Sequence, residues 1–167
     1  ITKLILTNDL SNRQIISLYD MTCGGGNMLF GIADKLHQKY PDKIIETYGQ
    51  ELNGKLYALA KIESMLRDNS KIKEGNTLTD NKFLDTKMDF VIANPPYGTD
   101  WKQEEPFIKS DTTGRFIAGL PTVGDGQLLF VENGLYHIQK DSTSLHEIGQ
   151  AYIVLNGSPM FSGGAGS

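Results

Sequence analysis

Short β-branched apolar runs alternate along the chain with longer segments whose apolar residues recur every three to four positions. That alternation predicts an α/β fold, a mostly parallel sheet flanked by helices. Ile15 to Tyr19 reads as a first strand ending at Asp20, and Met28, Leu29, Ile32, Ala33 and Leu36 then recur at helical spacing before Pro41. Lys43 to Tyr48 reads as a second strand, and Leu56, Leu59, Ala60, Met65 and Leu66 as the apolar stripe of a second helix. Ile72 to Glu74 is a short third strand, Asp89 to Ala93 a fourth, Gln127 to Gln139 a later helix and Gln150 to Leu155 a fifth strand. Residues 98–126 show no clear periodicity, which predicts either a functional loop or a mobile surface insertion. No internal repeat is visible. The Gly/Ser-rich stretch 161–167 reads as a frayed end or an excised loop, which leaves residues 1–160 as one catalytic core.

A chain of 167 residues with 39% hydrophobic and 22% charged positions is long enough for one domain with a sizeable core. The single Cys23 excludes an internal disulfide framework. No apolar stretch approaches membrane-spanning length and the start Ile1-Thr2-Lys3 lacks a signal-peptide pattern, so a reducing, cytoplasmic setting is expected, with no membrane partner. A net charge of −4 argues against a self-sufficient nucleic-acid-binding module, because such affinity rests mainly on phosphate neutralisation. If DNA is the substrate, other segments or subunits must hold it.

The most informative string is Asn94-Pro95-Pro96-Tyr97, directly after the apolar run Phe90-Val91-Ile92-Ala93. A rigid polar tetrapeptide at the carboxyl end of a buried strand sits where open α/β sheets place their chemistry. The two prolines fix φ and remove two backbone donors, so the main-chain carbonyls face outward. The Asn94 oxygen and the Pro95 carbonyl can each accept one hydrogen of a planar amino group, while Tyr97 stacks on the attached ring.

A second constellation surrounds Asp20-Met21-Thr22-Cys23-Gly24-Gly25-Gly26, where three glycines stand between a strand end and a helix start. The spacing is not that of a dinucleotide loop, and no Gly-Lys-Ser/Thr follows, so a pyrophosphate or triphosphate site is disfavoured. An acidic residue at such a turn suits a positively charged ligand such as S-adenosylmethionine. Glu51, about 25 residues after the glycines, stands where a carboxylate accepts ribose hydroxyls. Gly75-Asn76-Thr77-Leu78 follows the third strand, and the Asn76 oxygen could accept from an adenine amino group.

Together with Ile153-Val154-Leu155-Asn156-Gly157, these stretches occur in the order of amino-methyltransferase motifs. The chain resembles the catalytic core of an adenine-N6 DNA methyltransferase, most closely the modification subunit of type I restriction-modification systems, over nearly its whole length. Tyr19-Asp20-x-Thr22-Cys23-Gly24-x-Gly26, Tyr48-Gly49-Gln50-Glu51 and Gly114-Arg115-Phe116 carry the subfamily likeness. The resemblance implies a Rossmann-like S-adenosylmethionine-dependent methyltransferase fold, truncated here at both ends. A Phe-Tyr-Thr-Pro-like segment would precede Ile1, and closing strands would follow Gly157.

By the same resemblance Asp20, Thr22, Cys23, Gly24 and Gly26 line the methionine end of the cofactor, Glu51 the ribose, and Asn76 with Thr77 the adenine. Asn94, Pro95, Pro96 and Tyr97 form the catalytic motif around a flipped-out adenine, with Asn94 also facing the cofactor. The family commonly has Asp where this chain has Asn76, which keeps an acceptor and removes a charge. Asp125 matches the next motif only loosely. The implied partners are DNA, a separate specificity subunit and a restriction subunit. Rival readings are methylation of a protein glutamine or an rRNA guanine, or a non-catalytic assembly domain. His37, His137 and His146 lack metal-ligand spacing and Cys23 has no base nearby in sequence, so no metal and no thiol nucleophile are expected.

Overall fold

The computed structural model describes residues 1–140 and 149–157. Within them the strands β1 (Ile15–Asp20), β2 (Ile44–Glu51), β3 (Ser70–Glu74), β4 (Phe90–Ala93) and β5 (Gln150–Ile153) form one parallel sheet in the order β3-β2-β1-β4-β5. The helices are α1 (Thr2–Leu6), α2 (Asn27–Lys39), α3 (Gly54–Met65), α4 (Glu105–Lys109) and α5 (Gln127–His137).

β1 lies at the centre because it can be buried on both faces: Ile16, Leu18 and Tyr19 are all inaccessible to solvent. On one face Leu29, Phe30, Ile32, Ala33 and Leu36 of α2 pack over Ile16, Leu18 and Ile45. On the other, Tyr19, Met21, Tyr48, Phe83 and Val91 form a second core cluster with Phe130 of α5 packed against it. The entry to β4 is pinned to β1 by Asp89, whose carboxylate accepts from the Ser17 N–H at 2.8 Å and the Ser17 hydroxyl at 2.9 Å and pairs with Arg13. The resulting register sets Asp20 beside Ile92, two residues before Asn94.

The predicted strands and helices are all present with shifted ends. β2 runs on to Glu51 because Gly49, Gln50 and Glu51 pair with Ile72, Lys73 and Glu74 of β3. The later helix stops at His137, and β5 at Ile153.

The expected apolar stripe of α3 does not face the core. Of its five residues only Ala60 is buried, while Leu56, Leu59, Met65 and Leu66 are exposed. Small residues, Ala60 and Ser64, make the buried contact, which lets the helix sit close to the sheet edge and turns the large side chains outward. Asn53 caps this helix by accepting from the N–H groups of Lys55 and Leu56, a contact worth about 1 kcal/mol.

Residues 98–126 are packed rather than a loose insertion. Trp101 and Ile108 bury with Leu78 and Leu129 in a small core of their own, and the Trp101 indole N–H donates to the Thr122 carbonyl at 3.0 Å. This cluster joins residues distant in sequence, so no local period announces it. The stretch 161–167 and His146 lie outside the described residues. No described helix is long and apolar enough to cross a membrane.

Candidate active site

The chain runs β1 to β2 to β3 toward one sheet edge, then returns to place β4 and β5 on the other side of β1. Ligands of open α/β sheets bind at the carboxyl ends beside such a reversal. A cleft of about 560 Å³ opens there, lined among others by Asp20, Cys23, Glu51, Asn76, Thr77 and Asn94.

Asp20 ends β1 almost completely buried. Its Oδ1 accepts from the Thr22 N–H at 3.1 Å, while Oδ2 has no partner. Burial, with the Glu51 charge adding to it, pushes the carboxyl up to about 7 against the opposing Thr22 bond. A buried carboxylate oxygen without a donor, at the wall of a cleft, is chemically complementary to a cationic ligand group. The neighbouring Cys23 thiol is raised by burial and by the charges of Asp20 and Glu51, so it stays protonated and is no nucleophile.

Two glycines make this corner possible. Gly26 caps α2 at φ +89°, and a Cβ there would lie 2.4 Å from the Phe30 ring. Gly49 faces the turn from β2, where a Cβ would stand 2.7 Å from Ile72 Cδ1 and 3.0 Å from the Cys23 sulfur. Gly26 therefore shapes the turn from behind and does not line the cleft, whereas Gly24 and Gly25 do.

Glu51 ends β2 with both oxygens in use: Oε2 accepts from the Gly24 N–H and Oε1 from the Asn53 N–H, each at 2.8 Å. These bonds aim the carboxylate at the glycine turn, and each oxygen keeps a second lone pair for a ligand. Asn76 is held equally firmly. Its Oδ1 accepts from the Leu78 N–H and its Nδ2 donates to Glu104, both at 3.0 Å, so the oxygen expected to meet an adenine amino group already has one donor. The Thr77 hydroxyl donates to the Met21 carbonyl at 2.6 Å and so ties this turn to the β1 turn.

The tetrapeptide after β4 is split by its surroundings. Pro95 is buried, Asn94 and Pro96 line the cleft, and Tyr97 stands exposed with its hydroxyl donating to Asn94 Oδ1. The Asn94 N–H donates to Thr22 Oγ1 at 3.2 Å, which joins the two constellations directly. Asp125 is engaged by Gln127 at the start of α5, away from the cleft lining.

Several contributors carried no local signal. Leu52, Leu56 and Phe130 line the cleft yet look like ordinary apolar residues in sequence. Arg115, noted only as part of a shared tripeptide, is buried and donates to the carbonyls of Thr77 and Leu78 at 3.0 Å each, clamping segment 98–126 onto the cleft wall. Among the described residues no three His, Cys, Asp or Glu side chains gather as metal ligands would.

The parallel sheet with an acidic glycine turn after β1 defines the class: this is the fold of S-adenosylmethionine-dependent methyltransferases. A class I S-adenosylmethionine-dependent methyltransferase from Listeria monocytogenes superposes with a TM-score of 0.70 at 18% identity, covering 95% of this chain and 45% of the other. A methyltransferase from Thiobacillus denitrificans solved with S-adenosyl-L-homocysteine gives 0.51 at 14% identity, over 91% of this chain and 46% of that one.

The model of the N-6 DNA methylase family matches residues 1–167, and the chain belongs to that family. The type I restriction enzyme MjaIX methylase subunit of Methanocaldococcus jannaschii is 27% identical over 145 residues, covering 82% of this chain and 25% of the relative. The MpnII methylase subunit of Mycoplasma pneumoniae is 26% identical over 140 residues, 76% of this chain and 26% of the relative. The chain thus spans about a quarter of the length of these curated relatives.

Proposed function

We propose that residues 1–160 form the catalytic core of the modification subunit of a type I restriction-modification system, transferring a methyl group from S-adenosylmethionine to adenine N6 in DNA. The observation that carries this reading is the 3.2 Å bond from the Asn94 N–H to Thr22, which sets the amino-holding tetrapeptide on the same edge as the unpartnered Asp20 oxygen.

When bound, S-adenosylmethionine supplies an electrophilic methyl group on a cationic sulfonium. Asp20 meets the positive charge of its amino acid end, Glu51 accepts from the ribose hydroxyls, and Asn76 with Thr77 borders the adenine. Asn94 Oδ1 and the Pro95 carbonyl accept the two hydrogens of the target amino group. That contact draws the nitrogen lone pair out of the ring and stabilises the positive charge that develops there. S-adenosylmethionine would give up its methyl from the sulfonium and leave as the neutral thioether, while these residues would hold the target amino group until one N6 proton passes to water, so no strong base is required. The target atom is inaccessible in a stacked duplex, so the adenine is extruded and Tyr97 replaces part of the lost stacking. With a net charge of −4, the chain relies on the specificity subunit, and on further segments of its own parent protein, to hold DNA. A restriction subunit completes the assembly, and the setting is the cytoplasm.

The test is N6-methyladenine in host DNA, measured by mass spectrometry after expressing the complete parent chain with its specificity partner in a host that lacks the mark. The mark is expected with the wild type and lost with Asn94→Ala. Its absence with both proteins soluble and assembled would transfer the assignment to a protein glutamine or an rRNA guanine.

A further inference from the structure

We infer that Glu104 is a positioning residue which, acting through Asn76, makes the cofactor site selective for an adenine ring; this rests on the cofactor reading of the cleft. Nothing in the sequence motifs points to Glu104, which lies ten residues beyond Asn94 in the segment without periodicity.

The argument starts from the two ends of one amide. Asn76 lines the cleft, and a primary amide can be turned over to exchange its oxygen and its NH₂. Here it cannot do so without loss. The Leu78 N–H can only donate and reaches Oδ1, while the Glu104 carboxylate can only accept and takes a hydrogen from Nδ2, each at 3.0 Å. Turning the amide over would break both bonds, set its oxygen against a carboxylate and set its NH₂ against an N–H. Each end keeps one function in reserve: the second lone pair of Oδ1 and the second hydrogen of Nδ2. An adjacent acceptor and donor in fixed order match the Watson–Crick edge of adenine, an amino group beside a ring nitrogen. Hypoxanthine presents the reverse order on that edge, a carbonyl beside an N–H, and a pinned amide refuses it.

Glu104 is well placed to impose this. Its main chain is held by a 3.1 Å bond from its own N–H to the Trp101 carbonyl, and its carbonyl accepts from the Phe107 and Ile108 N–H groups at 3.0 Å. Trp101 and Ile108 are both 3% exposed in the small core of the segment, so the carboxylate is presented from a fixed element. Arg115 independently fastens that element to the Thr77 and Leu78 carbonyls on the other side of the same turn.

The experiment is calorimetric titration of the complete parent protein with S-adenosylhomocysteine and with S-inosylhomocysteine, in wild type, Glu104→Gln and Glu104→Ala. Wild type is expected to prefer the adenosyl ligand by at least about tenfold. Glutamine can meet either end of the Asn76 amide while the Leu78 N–H still favours the original one, so Glu104→Gln should keep adenosyl affinity within about threefold and lose part of the preference. Glu104→Ala should lessen the preference as well, the Leu78 N–H being the one restraint left on the amide. A purely structural role would lower both affinities in parallel. Variants that bind both ligands in the wild-type ratio overturn the inference and leave the cofactor reading standing. Failure of folded wild type to bind S-adenosylhomocysteine overturns both, and loss of that binding in Asp20→Asn is the control that supports the reading itself.

Discussion

The phenolic hydroxyl of Tyr97 donates to Oδ1 of Asn94, so the ring assigned to stacking and the oxygen assigned to the amino group are bonded to each other before a base arrives. Tyr97 is 45% exposed, and rotation of its side chain meets little resistance. Base entry either displaces the hydroxyl or uses the second lone pair of Oδ1. Tyr97→Phe keeps the stacking surface and frees the acceptor, so its kcat/KM on DNA should stay within about fivefold of wild type, the worth of one exposed hydrogen bond. Tyr97→Ala removes a stacking contact of about 1–3 kcal/mol and should cost about five- to 150-fold, mainly in KM. Steady-state kinetics on duplex DNA compares them, and a Phe variant as impaired as Ala would give the hydroxyl a direct part in transfer.

Asp20 predicts how cofactor affinity depends on pH. Its carboxyl stays protonated up to about 7 in the free protein, because burial and the Glu51 charge outweigh the bond from Thr22. A cationic ligand group favours the ionised form, so binding below that value must first expel the proton. Affinity should therefore hold steady above pH 8 and fall about tenfold per unit below pH 7. Asp20→Asn should bind weakly at every pH with this slope removed. Titrations from pH 5.5 to 8.5 decide it, and an equal slope in the variant would place the titrating group elsewhere.

The carboxyl edge of the sheet was legible because glycine and proline mark where strands end. Asp20 before Gly24 and Asn94 before Pro95 are local patterns, and both fall where they were expected. Segment 98–126 was not legible, since its order comes from Trp101, Ile108 and Arg115 meeting Leu78, Leu129 and Thr77 across long stretches of sequence. The stripe on α3 misled for a related reason. Apolar spacing shows that a helix has an apolar face, but at a sheet edge Ala60 and Ser64 proved the better-fitting contact. Asn76 lines the cleft after β3, while its bond to Glu104 joins residues 28 apart that no spacing connects.

His137 predicts an acid limb of stability. It is fully buried, its Nδ1–H donates to the Thr86 carbonyl at 2.9 Å, and its Nε2 accepts from Asn81 at 2.8 Å, an arrangement only the neutral ring can make. Burial lowers it to about 4 from an ordinary 6.5. The unfolded chain takes up a proton below 6.5 and the native protein does not until about 4. The contribution is therefore complete above 6.5 and lost as pH falls across that window, on the order of 3 kcal/mol in all. Urea midpoints of wild type and His137→Gln should converge between pH 7.5 and 4.5, and a constant gap would contradict the assignment.

Gly26 and Gly25 make a matched pair of substitutions. Gly26→Ala forces a side chain into left-handed backbone at φ +89° and drives its Cβ against the Phe30 ring. The backbone alone costs about 1–2 kcal/mol, and the displaced ring adds to it. A Cβ on Gly25 meets nothing within 4 Å, and its φ lies outside the left-handed region, so Gly25→Ala should be close to neutral for stability. Thermal denaturation separates them, and equal losses would mean that the turn tolerates no side chain at all. Gly25 does line the cleft, so its variant is free to lose cofactor affinity without losing stability.

Arg115 is expected to link stability to cofactor binding. Its guanidinium donates to two main-chain carbonyls, to Asn133 Oδ1 at 3.2 Å and to Asp111, with which it forms an ion pair whose side chains are 6% and 7% exposed. Burial alone would raise the Asp111 carboxyl, but bonds from Thr113 and Arg115 hold it below its ordinary value. Arg115→Met strands that charge and two carbonyls, a loss of about 3–5 kcal/mol for a broken buried pair. Adding Asp111→Asn removes the stranded charge, so the double variant should be more stable than Arg115→Met alone, which urea denaturation measures. Affinity should not recover with stability, because neither variant restores the donors that hold the Thr77 and Leu78 carbonyls. S-adenosylhomocysteine binding that returns to wild type in the double variant would reduce Arg115 to a stabilising residue only. Binding that remains weak at recovered stability would establish that the segment beyond Tyr97 holds the Asn76 and Thr77 side of the cleft in shape.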